Sequence, residues 1–275
     1  MGSKKNIYLE EDCTGHRLVL SDGEVPPYLR PTLYQHLIAY NYCKDYAAGK
    51  DILDVGCGTG YGSNLLAETA RSVTAVDLSE TGIAIARDTY HKPNLTFMIM
   101  DASDLSSFKD KTFDLVYSSQ CIEHVVEYER FVSEVIRVLK DDGVFIVTTP
   151  NADLYVPGVV PFHYKEFTAE ELKTLLNKFF RDVHMYGVFG DENVMKIQGG
   201  LFKFGRLLTK VDFLNLRNML PKGLYIYFYQ RLLKLAKLGL FKRDTSLAGS
   251  ITTDNFRISD KDVKRSLDLL GVCRK

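Results

Sequence analysis

The stretch Asp51-Ile-Leu-Asp-Val-Gly-Cys-Gly-Thr-Gly-Tyr-Gly-Ser63 is a short apolar run that breaks into four glycines at alternate positions. The run predicts a buried strand. The glycines predict a loop that a ligand can approach closely, because no Cβ stands in the way and a positive φ costs little. A helical pattern follows, and the N-terminus of a helix favours an electron-rich or anionic group. The spacing G-x-G-x-G differs from the dinucleotide fingerprint G-x-G-x-x-G, because Tyr61 and Ser63 occupy the positions of its last glycine.

A second β-like run, Ser72-Val-Thr-Ala-Val-Asp77, ends on an acidic residue. At that place in an α/β sheet a carboxylate can accept both hydroxyls of a ribose. A glycine-rich turn without a ligand would be the simpler interpretation of the glycines alone. The combination of the glycine loop, Asp54 and the strand-end Asp77 favours a ligand site.

Two of these segments, Asp54-Val-Gly-Cys-Gly-Thr-Gly60 and Val76-Asp-Leu-Ser79, resemble the first two motifs of class I S-adenosylmethionine (SAM)-dependent methyltransferases. The resemblance implies SAM as the cofactor and S-adenosylhomocysteine as its product. It also implies that the loop wraps the methionine moiety and that Asp77, followed by Leu78, holds the ribose. The loop residues implied in cofactor binding are Asp54, Gly56, Cys57, Gly58, Gly60 and Tyr61.

Strand-like and helix-like patterns alternate along the chain. Strands are predicted at 52–55, 73–76, 95–100, 113–117, 144–148, 183–189 and 266–273. Such alternation predicts a parallel sheet covered on both faces, with ligands at the carboxyl ends of the strands. We therefore expect an α/β fold with a Rossmann-like, seven-stranded, mostly parallel sheet and helices on both faces. The resemblance implies that the last strand is antiparallel, and a helical, basic insertion is expected near the C-terminus.

Four parts of the chain are expected. They are an N-terminal loop and helix packing on the SAM site (1–50), a SAM-binding core (51–190), a helical basic cap (191–260) and a final antiparallel strand (261–275). Residues 1–30 are predicted as loop and short turns, and a helix is predicted from Pro31. Thr14-Gly-His-Arg17, followed by His36 and Tyr40 on that helix, resembles bacterial glycan-modifying methyltransferases.

Two further strand ends supply candidate cofactor residues. Asp101 and Ala102 close the third strand, and Asp101 matches the family position that reads the adenine amino group. A surface aspartate in a turn is an equally good interpretation of this residue alone. The segment Ser118–Val125 follows the fourth strand and in related methyltransferases lines the methyl-donor site. From it we select Ser119 and Gln120 as cofactor contacts.

Two histidines are candidates for the chemistry. SAM is already activated, so the protein must mainly align donor and acceptor. A base helps when an acceptor hydroxyl must lose its proton, and histidine suits that role near neutral pH. His124 follows the fourth strand, and His163 lies in a loop that in the resembled family reaches over the substrate. The alternative is that His124 only caps or packs the next helix. The spacing of Glu123, His124 and Glu127 is not a metal signature, so no metal site is predicted.

The amino-acid composition is that of an ordinary globular protein. The chain has 275 residues, is 45% hydrophobic and 25% charged, and can build a core without disulfides or metals. Its five cysteines form no C-x-x-C pair, which favours a reducing compartment. No secretory signal and no membrane-spanning run are recognisable, so a cytoplasmic protein is expected.

The charge is unevenly distributed. Residues 201–243 hold ten basic residues and one acid, Asp212, which is a net charge of +9 in a chain whose net charge is zero. Around Lys234 and Lys237 this segment is amphipathic. Three interpretations remain: peripheral contact with the inner membrane surface, packing on the domain or on a second subunit of a homodimer, and nucleic-acid binding. The last is the weakest, since no RNA-binding module accompanies the segment.

The function expected from the resemblance is SAM-dependent methylation of a small-molecule, glycan or lipid-linked acceptor, at a hydroxyl oxygen. The competing hypotheses are RNA or protein methylation through the basic cap, and a non-catalytic SAM-binding protein associated with a membrane. The sequence alone does not identify the acceptor, because this fold hosts many of them.

Overall fold

The structure is a computed structural model that describes residues 8–12, 15–19, 25–154, 160, 162–199, 231 and 245–275. Strands β1 (Tyr8–Asp12) and β2 (Gly15–Val19) form an antiparallel hairpin. The main sheet contains β3 (Asp51–Val55), β4 (Ser72–Asp77), β5 (Leu95–Ile99), β6 (Phe113–Ser119), β7 (Leu139–Pro150), β8 (Asp182–Gly190), β9 (Phe256–Ser259) and β10 (Asp268–Arg274).

The strand order in the main sheet is β5-β4-β3-β6-β7-β10-β8-β9. The five strands from β5 to β7 are parallel. β10 is antiparallel to both of its neighbours, β7 and β8, and β9 is antiparallel to β8. The carboxyl ends of the parallel strands therefore lie along one edge, together with the N-terminal end of β10.

Helices cover both faces of this sheet. They are α1 (Arg30–Ala47), α2 (Tyr61–Leu66), α3 (Glu80–Thr89), α4 (Tyr128–Val138) and α5 (Ala169–Asn177). Because successive strand residues point to opposite faces, Ile52 packs in the cluster formed with α1 and α2, whereas Leu53 and Val55 pack with α4 and α5. Residues 192–199 are also helical, and Thr245–Ser250 is a short helix.

The predicted α/β class, the mostly parallel sheet, the two helical layers and the antiparallel last strand are confirmed. The strand count is corrected from seven to eight by β9. This four-residue strand lies within the 191–260 segment that was expected to be a helical cap, and it pairs with β8 from Gly187 to Gly190. Phe256 is buried and Arg257 lies over the Phe189 ring at 4.6 Å, so contacts distant in sequence fix the strand.

Two local features add to this description. α5 begins with a capping box, in which Thr168 and Glu171 exchange hydrogen bonds between side chain and backbone. The hairpin β1–β2 lies where only loop and turns were predicted. A short strand is specified by its partner strand more than by its own sequence, which explains that difference.

The basic segment 201–243 lies outside the described residues, apart from Arg231. Its predicted helical cap, membrane contact and subunit contact therefore remain predictions. In the described part of the chain, no helix is long and apolar enough to cross a membrane.

Candidate active site

The glycine loop connects β3 to α2 and is held against β4. Gly56, Gly58 and Gly60 have φ angles of +80°, +57° and +83°, the left-handed region that favours glycine. The amides of Gly56 and Cys57 both donate to the Val76 carbonyl, at 2.8 and 3.0 Å. A Cβ added to Gly56 would lie 2.6 Å from the Cys121 side chain, so this glycine also allows the loop after β6 to approach.

Asp54 lies behind the loop and supports it. Its Oδ2 accepts hydrogen bonds from Ser63 at 2.6 Å and from the Tyr40 hydroxyl at 3.4 Å, and Oδ1 has no partner among the described residues. Burial raises the pKa of Asp54 to about 7, while the bonds from Ser63 and Tyr40 lower it. Asp54 and Gly60 are the two predicted loop residues that do not line the cavity.

Asp77 ends β4 and joins two neighbouring backbones. One carboxylate oxygen accepts from the amide of Gly58 at 2.8 Å, and the other accepts from the amide of Ser79 at 2.8 Å. Each carboxylate oxygen can accept more than one hydrogen bond, so a ribose hydroxyl is a chemically suitable donor to this group. Beside it Leu78 is 53% exposed, an apolar surface next to a charged group. A flat apolar ring stacked on Leu78 would remove this apolar surface from water.

The turn after β5 adds a second acidic residue to the same edge. Oδ1 of Asp101 accepts from both the amide and the hydroxyl of Ser103, each at 2.8 Å. Met100 donates its amide to the Asp77 carbonyl at 3.0 Å, which places this turn beside β4. Met100, Asp101, Ala102 and Ser103 all line the cavity.

The loop after β6 provides a polar wall. The hydroxyls of Ser119 and Thr148 are 3.0 Å apart. Gln120 has a φ of +51°, which is uncommon for a residue other than glycine and is typical of functional turns. Its side chain lines the cavity and also faces Asp268, whose pKa it lowers.

The two predicted histidines meet at the next turn. Their rings are 4.9 Å apart and nearly perpendicular. His124 Nδ1 lies 3.1 Å from the Phe162 carbonyl, and His163 Nδ1 lies 2.8 Å from Glu166 Oε1. His124 lines the cavity and His163 stands behind it. The loop that carries His163 is fixed by its backbone, since the Tyr164 amide donates to the Glu123 carbonyl at 2.7 Å.

One cavity of about 390 Å³ unites these elements, a size usual for small-molecule sites. The predicted residues in its walls are Gly56, Cys57, Gly58, Tyr61, Asp77, Leu78, Asp101, Ala102, Ser119, Gln120 and His124. Leu18 of β2, His36 and Tyr40 of α1, and Tyr164 line it as well. The only signal for His36 and Tyr40 was their spacing on the first helix.

His36 faces Tyr61 across this cavity wall. Its Nδ1 lies 2.8 Å from the Tyr61 hydroxyl. Burial lowers the pKa of His36 to about 4, so the imidazole is neutral near pH 7. This pair joins α1 to the start of α2, beside the glycine loop.

A chain of buried amides lies deeper at the same edge. Gln198 donates to Gln35 at 2.8 Å, and Gln35 donates to Asp268 at 2.7 Å. Burial raises the pKa of Asp268 to about 7, the charge of Glu123 raises it further, and the bond from Gln35 lowers it. The helical segment 192–199 is thereby attached to α1 and β10.

Comparison with known proteins identifies the central part of the chain. A family described as "Methyltransferase domain" matches residues 53–147. These residues are therefore similar to a methyltransferase domain. They contain the glycine loop, Asp77, Asp101 and His124, so the family match covers most of the cavity wall.

Two relatives illustrate the similarity. A probable S-adenosylmethionine-dependent methyltransferase of Mycobacterium tuberculosis is 39% identical over 160 residues, which is 56% of this chain and 57% of that protein. A phthiotriol/phenolphthiotriol dimycocerosates methyltransferase of the same species is 37% identical over 129 residues, 46% of each chain. This chain thus spans less than two thirds of the length of these relatives.

Solved structures are similar to this chain as well. A SAM-dependent methyltransferase from Thermotoga maritima, described as a possible histamine N-methyltransferase, superposes with a TM-score of 0.58 at 15% identity. The match covers 90% of this chain and 92% of that one. At such low identity it is evidence for the fold alone, which is the Rossmann-like methyltransferase fold.

The donor set around the glycine loop fits SAM. The Asp77 carboxylate is a suitable acceptor for ribose hydroxyls, the exposed face of Leu78 suits an adenine ring, and the Gln120 side chain lines the cavity. Cationic SAM also suits a cavity wall that carries the Asp77 and Asp101 carboxylates.

Proposed function

We propose that this protein is a SAM-dependent methyltransferase that methylates a hydroxyl oxygen of a small-molecule, glycan or lipid-linked acceptor. The observation that carries the proposal is the continuity of the cavity. The glycine loop and Asp77 line one part of it, and His124, Phe162 and Tyr164 line another. An in-line displacement needs donor and acceptor aligned in one enclosed space, and this cavity supplies that space.

On the donor side, each residue has a role that follows from its contacts. Asp77 would hold the ribose, Leu78 and Met100 would contact the adenine, and Asp101 would accept from its amino group. The glycine loop would contact the methionine moiety, supported from behind by Asp54. When bound, SAM supplies a methyl group on a positively charged sulfur.

On the acceptor side, His124 is proposed as the base. Its Nδ1 points to the Phe162 carbonyl, so in the neutral ring Nδ1 carries the proton and Nε2 is the basic atom. His163, held by Glu166, would orient His124 through the edge-to-face ring contact. Aligned reactants supply most of the rate in such a transfer, and the base typically adds about 10²–10⁴-fold.

Two observations support an apolar or lipid-linked acceptor. Val126 and Tyr164 line the cavity and are 64% and 57% exposed, which leaves apolar surface at its rim. One relative is named for phthiotriol and phenolphthiotriol dimycocerosates, which are lipids. RNA or protein methylation has no comparable support from the described residues.

The basic segment 201–243 is proposed to contact an anionic membrane surface where a lipid-linked acceptor would reside. Its net charge of +9 and its mixture of Lys, Arg and aromatic residues support this. The protein would then be cytoplasmic and peripheral at the inner membrane surface. Flotation with vesicles containing anionic lipid, for the full chain and for a 201–243 deletion, checks this. Equal flotation of both proteins would instead favour packing of the segment on the domain or in a homodimer.

The test of the proposed function is methyl transfer from labelled SAM to separate lipid, glycan and RNA pools. Label is expected in the lipid or glycan pool. His124→Gln should lower turnover while SAM affinity stays unchanged, and the exposed His91→Ala serves as the matched control. Transfer to RNA alone would contradict the acceptor class. SAM binding without transfer to any pool would favour a non-catalytic SAM-binding protein.

A further inference from the structure

Glu123, His124 and His163 bring three potential metal ligands together. One ligand atom from each residue lies within 4.8 Å of the corresponding atoms of the other two. Glu123 Oε1 and His124 Nε2 are 3.9 Å apart. Two ligands that bind one Zn²⁺ at about 2.0–2.2 Å can be at most about 4.2–4.4 Å apart, so this pair already lies within the required distance.

In each of the three side chains, the polar atom that is not the candidate ligand atom contacts another group of the protein. Glu123 Oε2 accepts from the Thr149 hydroxyl at 2.8 Å. His124 Nδ1 faces the Phe162 carbonyl, and His163 Nδ1 faces the Glu166 carboxylate. In metal sites, a ligating histidine commonly donates its other N–H to a carbonyl or carboxylate, which fixes the tautomer and raises ligand basicity. Both histidines have that arrangement here.

The charge around the cluster also favours a cation. Glu123 is 1% exposed and Asp268, whose electrostatic field reaches Glu123, is 3% exposed. Among the residues that the structure describes, no Lys or Arg forms an ion pair with either carboxylate. Buried carboxylates are usually paired with a cation or bound to a metal.

We infer that Glu123, His124 and His163 form a binding site for one divalent transition-metal ion, with Zn²⁺ as the reference ion. Two imidazoles and one carboxylate suit Zn²⁺ and its neighbours in the first transition row, whereas Mg²⁺ prefers oxygen ligands. No metal site was predicted at the sequence level, because His163 lies 39 positions after His124. Binding of the ion does not depend on the proposed function.

The site would change the role of the histidines in the proposed reaction. His124 lines the cavity, so an open position on the ion would face the acceptor. A bound cation lowers the pKa of a coordinated oxygen acid, so an acceptor hydroxyl there would release its proton to solvent water more readily, and the alkoxide oxygen would then take the methyl group from the SAM sulfur. In the metal-bound protein the histidines then act as ligands, and direct proton uptake by His124 is confined to the metal-free protein.

The test is calorimetric titration of the EDTA-treated, dialysed full chain with ZnCl₂. The wild type should bind one Zn²⁺ per chain. Glu123→Gln and His163→Ala should each weaken binding by more than about 100-fold, beyond the roughly 10–100-fold that is lost when a residue that only hydrogen-bonds to a ligand is removed. His184→Ala is the matched control, because His184 is an exposed histidine on β8, and it should bind Zn²⁺ like the wild type.

SAM titration of the same samples shows whether each variant is folded. If the variants do not fold, the visible absorption spectrum of Co²⁺ added to the wild type tests the metal site. Visible bands of a four- or five-coordinate ion support the site, and the weak spectrum of hydrated Co²⁺ overturns it. The inference is also overturned if wild type binds no Zn²⁺, if His184→Ala loses binding equally, or if Mg²⁺ binds more tightly than Zn²⁺. SAM binding with methyl transfer but no Zn²⁺ binding would refute the metal site alone, whereas Zn²⁺ binding without methyl transfer would refute the proposed function alone.

Discussion

Asp77→Asn is a nearly isosteric change that separates two roles of this residue. In the wild type, both carboxylate oxygens accept backbone hydrogen bonds, one from Gly58 and one from Ser79. Asparagine keeps one acceptor oxygen and replaces the other by an NH₂ group. That group must then face one of the two backbone N–H donors, and the donor is left without its acceptor.

The magnitude follows from these contacts. A hydrogen bond to a charged group contributes about 1.5–3 kcal/mol. Loss of one such bond should lower the free energy of unfolding of the free protein by that amount. Loss of the charged acceptor for a ribose hydroxyl should cost SAM binding a similar amount, which is roughly a ten- to hundredfold increase in Kd.

The measurements are urea unfolding and calorimetric titration with SAM. Asp101→Asn is the matched control, because both of its bonds from Ser103 end on the same oxygen, which asparagine retains. Its free energy of unfolding should change by less than about 0.5 kcal/mol. A folded Asp77→Asn protein that binds SAM with wild-type Kd would refute the assignment of Asp77 to the ribose. An Asp77→Asn protein with the free energy of unfolding of the wild type would refute the argument that both carboxylate oxygens accept stabilising hydrogen bonds.

Three further predictions concern stability, measured by urea unfolding. Gly62→Ala should destabilise by about 1–3 kcal/mol, because its Cβ would lie 1.9 Å from the buried Tyr40 ring. Gly249→Ala should not, because its Cβ would make only ordinary van der Waals contact with Pro27 at 3.9 Å. Asp54→Asn should gain stability relative to wild type as pH rises from about 4 to 7. The pKa of Asp54 is higher in the folded than in the unfolded protein, so protonation of Asp54 stabilises the folded state of the wild type. This contribution, on the order of 4 kcal/mol, is fully present below the unfolded pKa near 3.9 and is lost as the pH rises through about 7. Asn151→Ala should cost at least about 2 kcal/mol, because the two N–H groups of its buried amide are shared among three carbonyls that lie before β10, within 2.9–3.3 Å of Nδ2.

Each of these predictions has a result that would contradict it. A Gly62→Ala protein as stable as Gly249→Ala would show that α1 moves aside without cost. A difference between Asp54→Asn and wild type that does not vary with pH would mean that Asp54 is ionised in the folded protein. For Asn151, a loss below about 0.5 kcal/mol would show that water replaces the amide.

The sequence was informative where one local pattern carries both structure and chemistry. The glycines, Asp77 and Asp101 follow predicted strands, and parallel strands bring their carboxyl ends to one edge. Local patterns and topology therefore placed these residues in one cavity. Glu123 and His163 are different, because their approach depends on the Tyr164 amide bonding to the Glu123 carbonyl. A backbone contact of this kind leaves no mark in the sequence.

The missed strands have a similar cause. β9 has four residues and pairs with β8, from which it is separated by the long 191–255 segment. Its pairing energy comes from distant residues, and a pattern of four residues does not distinguish a strand from a loop. His36 also had no identifiable role before the fold was known, since only the position of α1 over the glycine loop brings it to Tyr61.

The position of β10 has a consequence for the order in which the chain can be assembled on the ribosome. β8 and β9 reach the rest of the sheet through β10, which is synthesised after both of them. Until β10 emerges, β7 has an unpaired row of backbone donors and acceptors from Val144 to Pro150. Such an open edge can pair with another nascent chain. Insertion of β10 closes this edge and joins the β8–β9 pair to the sheet in a single late event, so synthesis of β10, rather than of the parallel strands before it, would set when the native sheet forms.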